Sequence, residues 1–426
     1  MDYFNYRDGQ LYCEDVSVRD LAAEYSTPLY IYSLKTFVSH LNNLSIAFGD
    51  LPHIVCYAVK SNSNLALLKT AALCGVGADI VSGGELRLTI KAGIKKERIV
   101  FSGVGKTDDE IEQAIRTGIL FICAESIAEI ESIAKIARKL KIKAPVAVRV
   151  NPEIDPKTHP YIATGLKESK FGMTETEAKK AFKFCVGEKW LDPVGISMHI
   201  GSQLESIRPY VASVSKIIAL YKYLWKQSIG LKYIDIGGGW AAHFDPALKL
   251  PYPQDYVSAV SELLRKLPAT VVAEPGRSMI GNAGILVMKV IRTKKNRAKN
   301  YCIVDAGMND FLRPPLYGAK HRIEPVVRSK GQKSYDVVGP VCESSDFFAK
   351  SIRLPAQKSG DLLALFTAGA YGRVMGSNYN ARIGAAEVAV AGNNVLVIRE
   401  RESYKDLERG QRTGGISRKL IEGLEL

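Results

Sequence analysis

From residue 54 to residue 277, short apolar runs rich in valine and isoleucine alternate with amphipathic stretches. Apolar runs of this length without alternation fit strands buried on both faces, and helical periodicity between them fits helices packed over a parallel sheet. Eight runs can be read: IVCYAVK (54–60), GVGADIVS (75–82), IVFSG (99–103), LFICAES (120–126), APVAVRVNP (144–152), PVGISMHIGS (193–202), LKYIDIGGG (231–239) and TVVAEPGR (270–277). Between them the pattern predicts helices over 64–73, 107–117, 126–140 and 207–227. Eight βα units in this length predict a (β/α)8 barrel.

The pattern changes after Gly281. ILVMKVIRTK, NYCIVDAG, YDVVGPV, DLLALF, AAEVAVAG and NVLVIRER follow one another with turn residues and few helical stretches between them. They predict a second, mostly antiparallel β domain, and the strand-like PLYIYS (28–33) fits against it as well as against the barrel. The expected division is a barrel over 34–280 and a β domain built from 1–33 and 281–426. From Arg401 onward the chain is charge-rich, as a surface helix or loose tail would be.

Composition narrows the class. The chain has 426 residues, 46% hydrophobic and 24% charged, the balance of an ordinary globular protein. No apolar run is long enough for a membrane span, and MDYFNYRDGQ lacks the basic start and apolar core of a secretory signal, so the expected location is cytoplasmic, away from membranes. Seven cysteines without a C-x-x-C pair indicate neither a metal site nor a disulfide framework. The net charge of +14 comes from basic residues dispersed among acidic ones; it fits a soluble surface or a field for small anions, and no nucleic-acid partner is expected.

The candidate chemistry lies where the strands end: Lys60, Ser82, Ser102, Glu125, Arg149, Asn151, His199, Ser202, Gly237 to Gly239, Glu274 and Arg277. In a barrel these ends share one face, where catalytic residues gather. Exit to solvent explains Ser82 and Ser102 well enough, but not the neighbouring HIGSQ, GGG and EPGR. Lys60 ends a buried strand, where desolvation is expected to lower its pKa and yield the neutral amine that Schiff-base chemistry needs; a lysine snorkelling to water is the plainer alternative. Glycines after the seventh strand, with EPGR after the eighth, suit a phosphate cradle. A lysine facing a phosphate cradle suggests pyridoxal phosphate. Glu274 would then stand beside the pyridine nitrogen and keep it protonated. His199 would stack on the ring, against the alternative of a core histidine bonded to a carbonyl.

YAVKSNSN, RVNP, HPYIATGLKESKFGM, HIGSQ, DIGGG, EPGR, DAGMNDFLRPPLYGAKH, GPVCESSD, TAGAYG and SNYN run in order over about residues 55–380. With them the chain resembles the fold type III pyridoxal-phosphate-dependent decarboxylases, whose architecture is alanine racemase-like. The resemblance implies that Lys60 holds the cofactor, His199 stacks on it and Glu274 meets its ring nitrogen, while Ser202, Gly238, Gly239, Gly276, Arg277 and Tyr371 surround its phosphate. It implies a head-to-tail homodimer with shared active sites, in which the neighbouring subunit donates the GPVCESSD loop. Cys342 would then protonate the substrate Cα, and Glu343 would bind a distal amino group. Arg277, Arg313 and Tyr317, with Tyr371 beside them, would hold a distal carboxylate. Two arginines and a glutamate complement a far end bearing both carboxylate and ammonium, whereas a distal amine alone would be repelled by the arginines. The expected reaction is decarboxylation of meso-2,6-diaminopimelate to L-lysine, with D-ornithine, D-lysine, arginine or carboxynorspermidine as alternative substrates. Ser61 and Lys320 depart from residues common in relatives.

Overall fold

A computed structural model describes residues 2–155, 165, 169–244, 247–297, 299–422 and 424. Eight parallel strands form a closed barrel: His53–Ala58, Gly77–Ile80, Ile99–Phe101, Phe121–Ala124, Ala144–Arg149, Leu191–Ser197, Tyr233–Asp235 and Thr270–Ala273. The last pairs with the first, Val271 opposite His53, so no strand edge is left open. All eight predicted runs are strands of this barrel. The structured part of each is shorter than its apolar run, because pairing ends where the chain turns into the loops of the mouth.

The helices begin where the sequence supplies caps. Asn64, Ser82, Thr107 and Ser126 accept hydrogen bonds from the first-turn amides of Leu65–Leu73, Gly83–Ala92, Asp108–Thr117 and Ile127–Leu140. Ser82 is therefore a helix cap rather than a marker of exit to solvent. Ile207–Lys226 buries Tyr210, Val214, Ile217, Tyr221 and Leu224, one stripe at helical spacing, against the barrel wall.

The second sheet has nine strands and is mostly antiparallel. Its spine is Gly284–Asn296, whose apolar first half is buried between Leu29–Ser33 and Leu362–Leu365, while its basic second half runs out to solvent. Two pairings are parallel: Lys299–Val304 with Lys333–Val338, and Ala386–Ala391 with Leu29–Ser33. Leu29–Ser33 is fully buried and leads into the helix Leu34–Phe48. The strand Phe347–Leu354 and the small N-terminal sheet of Phe4–Arg7, Gln10–Cys13 and Val16–Ser17 were absent from the pattern reading. Both are short or interrupted by charge, so neither makes a continuous apolar run. The tail carries the short exposed helices Tyr404–Glu408 and Arg418–Glu422. Among the described residues no helix is long and apolar enough to cross a membrane.

Candidate active site

At the C-terminal mouth of the barrel lies a cavity of ≈ 190 Å³, bordered by Lys60, His199, Ser202, Gly239, Glu274, Gly276 and Arg277, with Arg313, Tyr317 and Tyr371 reaching in from beyond the barrel. Two glycines show why the loops can meet there. A Cβ on Gly239, whose φ is +82°, would stand 1.9 Å from the Gly201 carbonyl oxygen. One on Gly238 would stand 2.1 Å from that of Glu274. Only bare backbone lets the loops after the sixth, seventh and eighth strands converge this closely.

Lys60, expected to end the first strand, sits two residues past its observed end. Pairing stops at Ala58 and Val59–Ser61 forms a single 3₁₀ turn, held by Ser61 Oγ donating to the Ala58 carbonyl at 2.7 Å. Lys60 Nζ donates to Asp79 Oδ2 at 2.7 Å. The expectation of a depressed pKa is corrected here. Burial alone would lower it, but the charges of Asp79 and Glu274 outweigh burial and hold Lys60 above its ordinary value. Asp79 is fully buried on the second strand, inside a run that reads as purely structural.

Glu274 follows the eighth strand and is buried. Ser102 Oγ donates to its Oε1 at 3.1 Å, so Ser102 is tied to the site rather than simply leaving for solvent. Behind Glu274 stands Asp235, which accepts from Ser197 Oγ at 2.8 Å and from the Gly237 amide at 2.9 Å. Burial pushes Asp235 up to about 6, and burial together with Asp235 and Asp79 raises Glu274 well above the carboxylate range. Both carboxyls are thereby shifted toward the protonated form, Glu274 the more strongly.

His199 accepts the Gly238 amide at Nδ1, 3.3 Å away, which leaves its proton on Nε2. Burial and the nearby Arg149 and Lys60 cations keep the ring neutral. Arg149 pairs with Glu125 at 2.7 Å and donates to the His199 carbonyl at 3.4 Å, so this buried ion pair helps to fix the sixth loop.

Two guanidiniums close the other side of the cavity. Arg277 donates to Ser202 Oγ from Nε (3.2 Å) and Nη2 (3.0 Å), and lies over the Tyr371 ring at 4.6 Å. Arg313 lies over Phe244, Tyr317 and Tyr371 at 5.5–6.0 Å, and donates from Nε to His321 Nε2 at 3.3 Å. Both arginines are more than nine-tenths buried, and neither has a carboxylate partner among the described residues. Burial depresses Arg277, and burial with Arg277 alongside pushes Arg313 down to about 9. Two adjacent buried cations without anions are costly unless a ligand brings the anions.

Cys342 and Glu343 do not border this cavity; they are exposed on the turn between the strands Lys333–Val338 and Phe347–Leu354. The turn is nonetheless well braced. Asp346 accepts the amides of Met308 and Val341, both at 2.7 Å, and Asn380 Oδ1 accepts the Cys342 amide at 2.8 Å. Glu343 accepts from Ser345 Oγ and is lowered by Ser345 and Tyr379. Of HPYIATGLKESKFGM, residues 159–164 and 166–168 lie outside the described residues.

Residues 34–281 match a family of known proteins, the pyridoxal-dependent decarboxylases, over their pyridoxal binding domain. The diaminopimelate decarboxylase of Aquifex aeolicus is 46% identical over 94% of this chain and 96% of its own length. That of Vibrio cholerae is 44% identical over 96% and 98%. The chain belongs to the diaminopimelate decarboxylase family. In three dimensions it matches the Helicobacter pylori family member crystallised with L-lysine at a TM-score of 0.89 and 43% identity, over 95% of this chain and all of that one. This family member is a pyridoxal-phosphate-dependent decarboxylase, and its donor set fits the cofactor. The cavity offers a lysine amine, a carboxyl group shifted toward its protonated form, a neutral imidazole, and an arginine and serine beside bare glycine loops.

Asp79, Asp235 and His321 belong to this neighbourhood but have no role in the sequence reading, although Asp235 opens DIGGG and His321 closes DAGMNDFLRPPLYGAKH. An acidic residue inside a fully apolar strand was the available signal for the first two, since burial demands a partner.

Proposed function

We propose that this enzyme decarboxylates meso-2,6-diaminopimelate to L-lysine and carbon dioxide, as its relatives' name suggests. The observation that carries this reading is the pair of buried, carboxylate-free guanidiniums, Arg277 and Arg313, facing the same cavity as Lys60. One can serve the cofactor's phosphate end, and the two together with Tyr317 and Tyr371 give a far carboxylate forked donors and an aromatic wall. Decarboxylases of substrates with only a distal amine have no use for that second cation.

In this reading the Lys60 amine would hold the cofactor, and Asp79 would hold the Lys60 ammonium whenever that nitrogen is free. Ser202, Gly238, Gly239, Gly276 and Arg277 border the phosphate. His199, neutral and bonded through Nδ1, presents its ring face to the cofactor. Glu274 carries the proton that a pyridine nitrogen needs, with Asp235 and Ser102 fixing its orientation. Pyridoxal phosphate, when bound, supplies the electron sink for the pair left behind by the departing carboxylate. Cys342 Sγ would deliver a proton to the carbon that lost the carboxylate, and Glu343 would meet the distal ammonium.

Cys342 and Glu343 stand on a braced, outward-facing turn, away from their own chain's cavity. We therefore assign the working form as a homodimer in which each copy lends this turn to the other's site, with the barrel over 34–280 and the remaining segments as the second domain. Its place is the cytoplasm.

The test is release of carbon dioxide from meso-, LL- and DD-diaminopimelate, ornithine, lysine and arginine by the holoenzyme. Release from the meso isomer with lysine formed in equal amount is expected; preference for a distal amine-only substrate would overturn the assignment.

A further inference from the structure

His321 is buried behind the arginine wall, outside the residues that border the cavity, and has two hydrogen-bond partners that fix its chemistry. Arg313 Nε is always protonated and always a donor, so the His321 Nε2 it meets at 3.3 Å must be bare. The other ring nitrogen, Nδ1, lies 3.0 Å from the Phe366 carbonyl, which only accepts, so the proton must be there. One tautomer satisfies both partners, and a doubly protonated ring satisfies only one of them. The ring is also gripped mechanically: the rings of Phe244 and Phe311 stand edge to face with it, each at 4.8 Å and at 80° and 88°. The Phe366 amide in turn donates to the Arg322 carbonyl at 2.9 Å, tying residues 321–322 to the end of strand Leu362–Leu365.

This arrangement has a directional consequence. Arg313 is held at Nε by His321, a residue outside the cavity border. Its plane is set by the bond to His321 and by the rings of Phe244, Tyr317 and Tyr371, and no carboxylate competes for it among the described residues. The two terminal nitrogens are thus left as an aligned fork. A carboxylate in that place, such as Asp or Glu, would also accept from Nε, but it would neutralise the charge that an anionic ligand needs. A neutral acceptor orients the cation without spending its charge.

We infer that His321 is a positioning residue for substrate recognition: as a neutral acceptor it fixes the Arg313 guanidinium so that its terminal nitrogens face the distal carboxylate of the substrate. The inference rests on Arg313 being the distal-carboxylate residue. It adds a specificity determinant that never touches substrate and acts wholly through another side chain.

The test is a double-mutant cycle on the holoenzyme with His321→Leu, His321→Gln, Arg313→Ala and the His321→Leu/Arg313→Ala pair. His321→Leu is expected to raise KM for meso-diaminopimelate roughly tenfold or more, the loss of a hydrogen bond to a charged group, with a much smaller change in kcat and an unchanged cofactor absorption band. His321→Gln, which keeps a neutral acceptor, recovers part of that loss. In the pair, KM rises no further than in Arg313→Ala alone, because His321 has nothing left to orient. A His321→Leu enzyme with wild-type KM, alongside a raised KM in Arg313→Ala, would overturn the inference and leave the substrate reading intact. Effects that multiply in the pair would overturn it too, by showing that His321 acts independently. An Arg313→Ala enzyme with unaltered KM would remove the substrate reading on which the inference stands. Should His321→Leu fail to fold, His321→Phe, which fills the same space and also lacks an acceptor, takes its place in the cycle, and the same comparison of KM values decides.

Discussion

Asp79→Asn gives the sharpest probe of how the fold prepares Lys60. Nζ and Oδ2 are 2.7 Å apart, and unit charges at that distance in a medium of effective dielectric constant about 20 attract by about 6 kcal/mol. The Lys60 side chain keeps 35% of its exposure, facing the cavity, so water screens the pair and about half that value, ~3 kcal/mol, is a fairer figure. At about 1.4 kcal/mol per pK unit, loss of the Asp79 charge should lower the Lys60 pKa by roughly two units, while the burial that opposes its charge remains. The sign follows from the observed balance: Asp79 and Glu274 hold the ammonium above its ordinary value, and asparagine removes the larger of those two charges. The assay is the pH dependence of Lys60 acylation in cofactor-free protein, followed by peptide mass. Wild type should react faster with rising pH without reaching a plateau, whereas Asp79→Asn should level off at least about two units lower than the wild-type curve permits. Superimposable profiles would refute the idea that Asp79 sets the protonation of Lys60.

Other consequences are equally direct. Lys60→Ala should purify without the visible absorption band of the bound cofactor and without turnover; a mutant that keeps both would remove Lys60 from its role. Gly239→Ala forces a side chain onto a φ of +82° and into the Gly201 carbonyl, so a loss of about 2 kcal/mol or more is expected as a lowered Tm, with weakened cofactor binding. An unchanged Tm would show that the loops yield. If the turn bearing Cys342 is lent across a two-fold interface, inactive Lys60→Ala and Cys342→Ala proteins mixed and allowed to exchange subunits should regain about a quarter of wild-type activity, since half of the random dimers carry one intact site. No recovery despite proven exchange would place Cys342 in its own chain's site.

The barrel was legible because a parallel strand covered on both faces leaves an uninterrupted apolar run, and each of the eight runs became a strand. Phe347–Leu354 was not, because its exposed Lys350 and Arg353 break the run into single apolar positions. Lys60, His199, Ser202, Glu274 and Arg277 could be found because the fold class puts strand ends on one face, and the cavity gathers them. Arg313, Tyr317 and Tyr371 share it too, although no periodicity links them to the barrel; only a likeness to known proteins did. What pattern reading could not supply was pairing. Desolvation argues for a neutral Lys60, and the sign reverses once Asp79 is seen across the strand pair. Ser102 looked like an exit residue until Glu274, far along the chain, appeared opposite its hydroxyl. His321 closes the motif DAGMNDFLRPPLYGAKH but had no role assigned, because that role depends on two partners that meet only in the fold.

The central claim is that a buried pair of arginines, without a carboxylate partner among the described residues, selects a substrate with a carboxylate at its far end. Its most direct test is kcat/KM of wild type and Arg313→Ala for meso-diaminopimelate and for an amino acid of the same reacting configuration whose far end is an amine alone, such as D-lysine. Loss of charge-assisted bonds to the distal carboxylate should cut kcat/KM for meso-diaminopimelate by about a hundredfold, chiefly through KM, and barely alter the other substrate. Equal losses on both substrates would contradict the account.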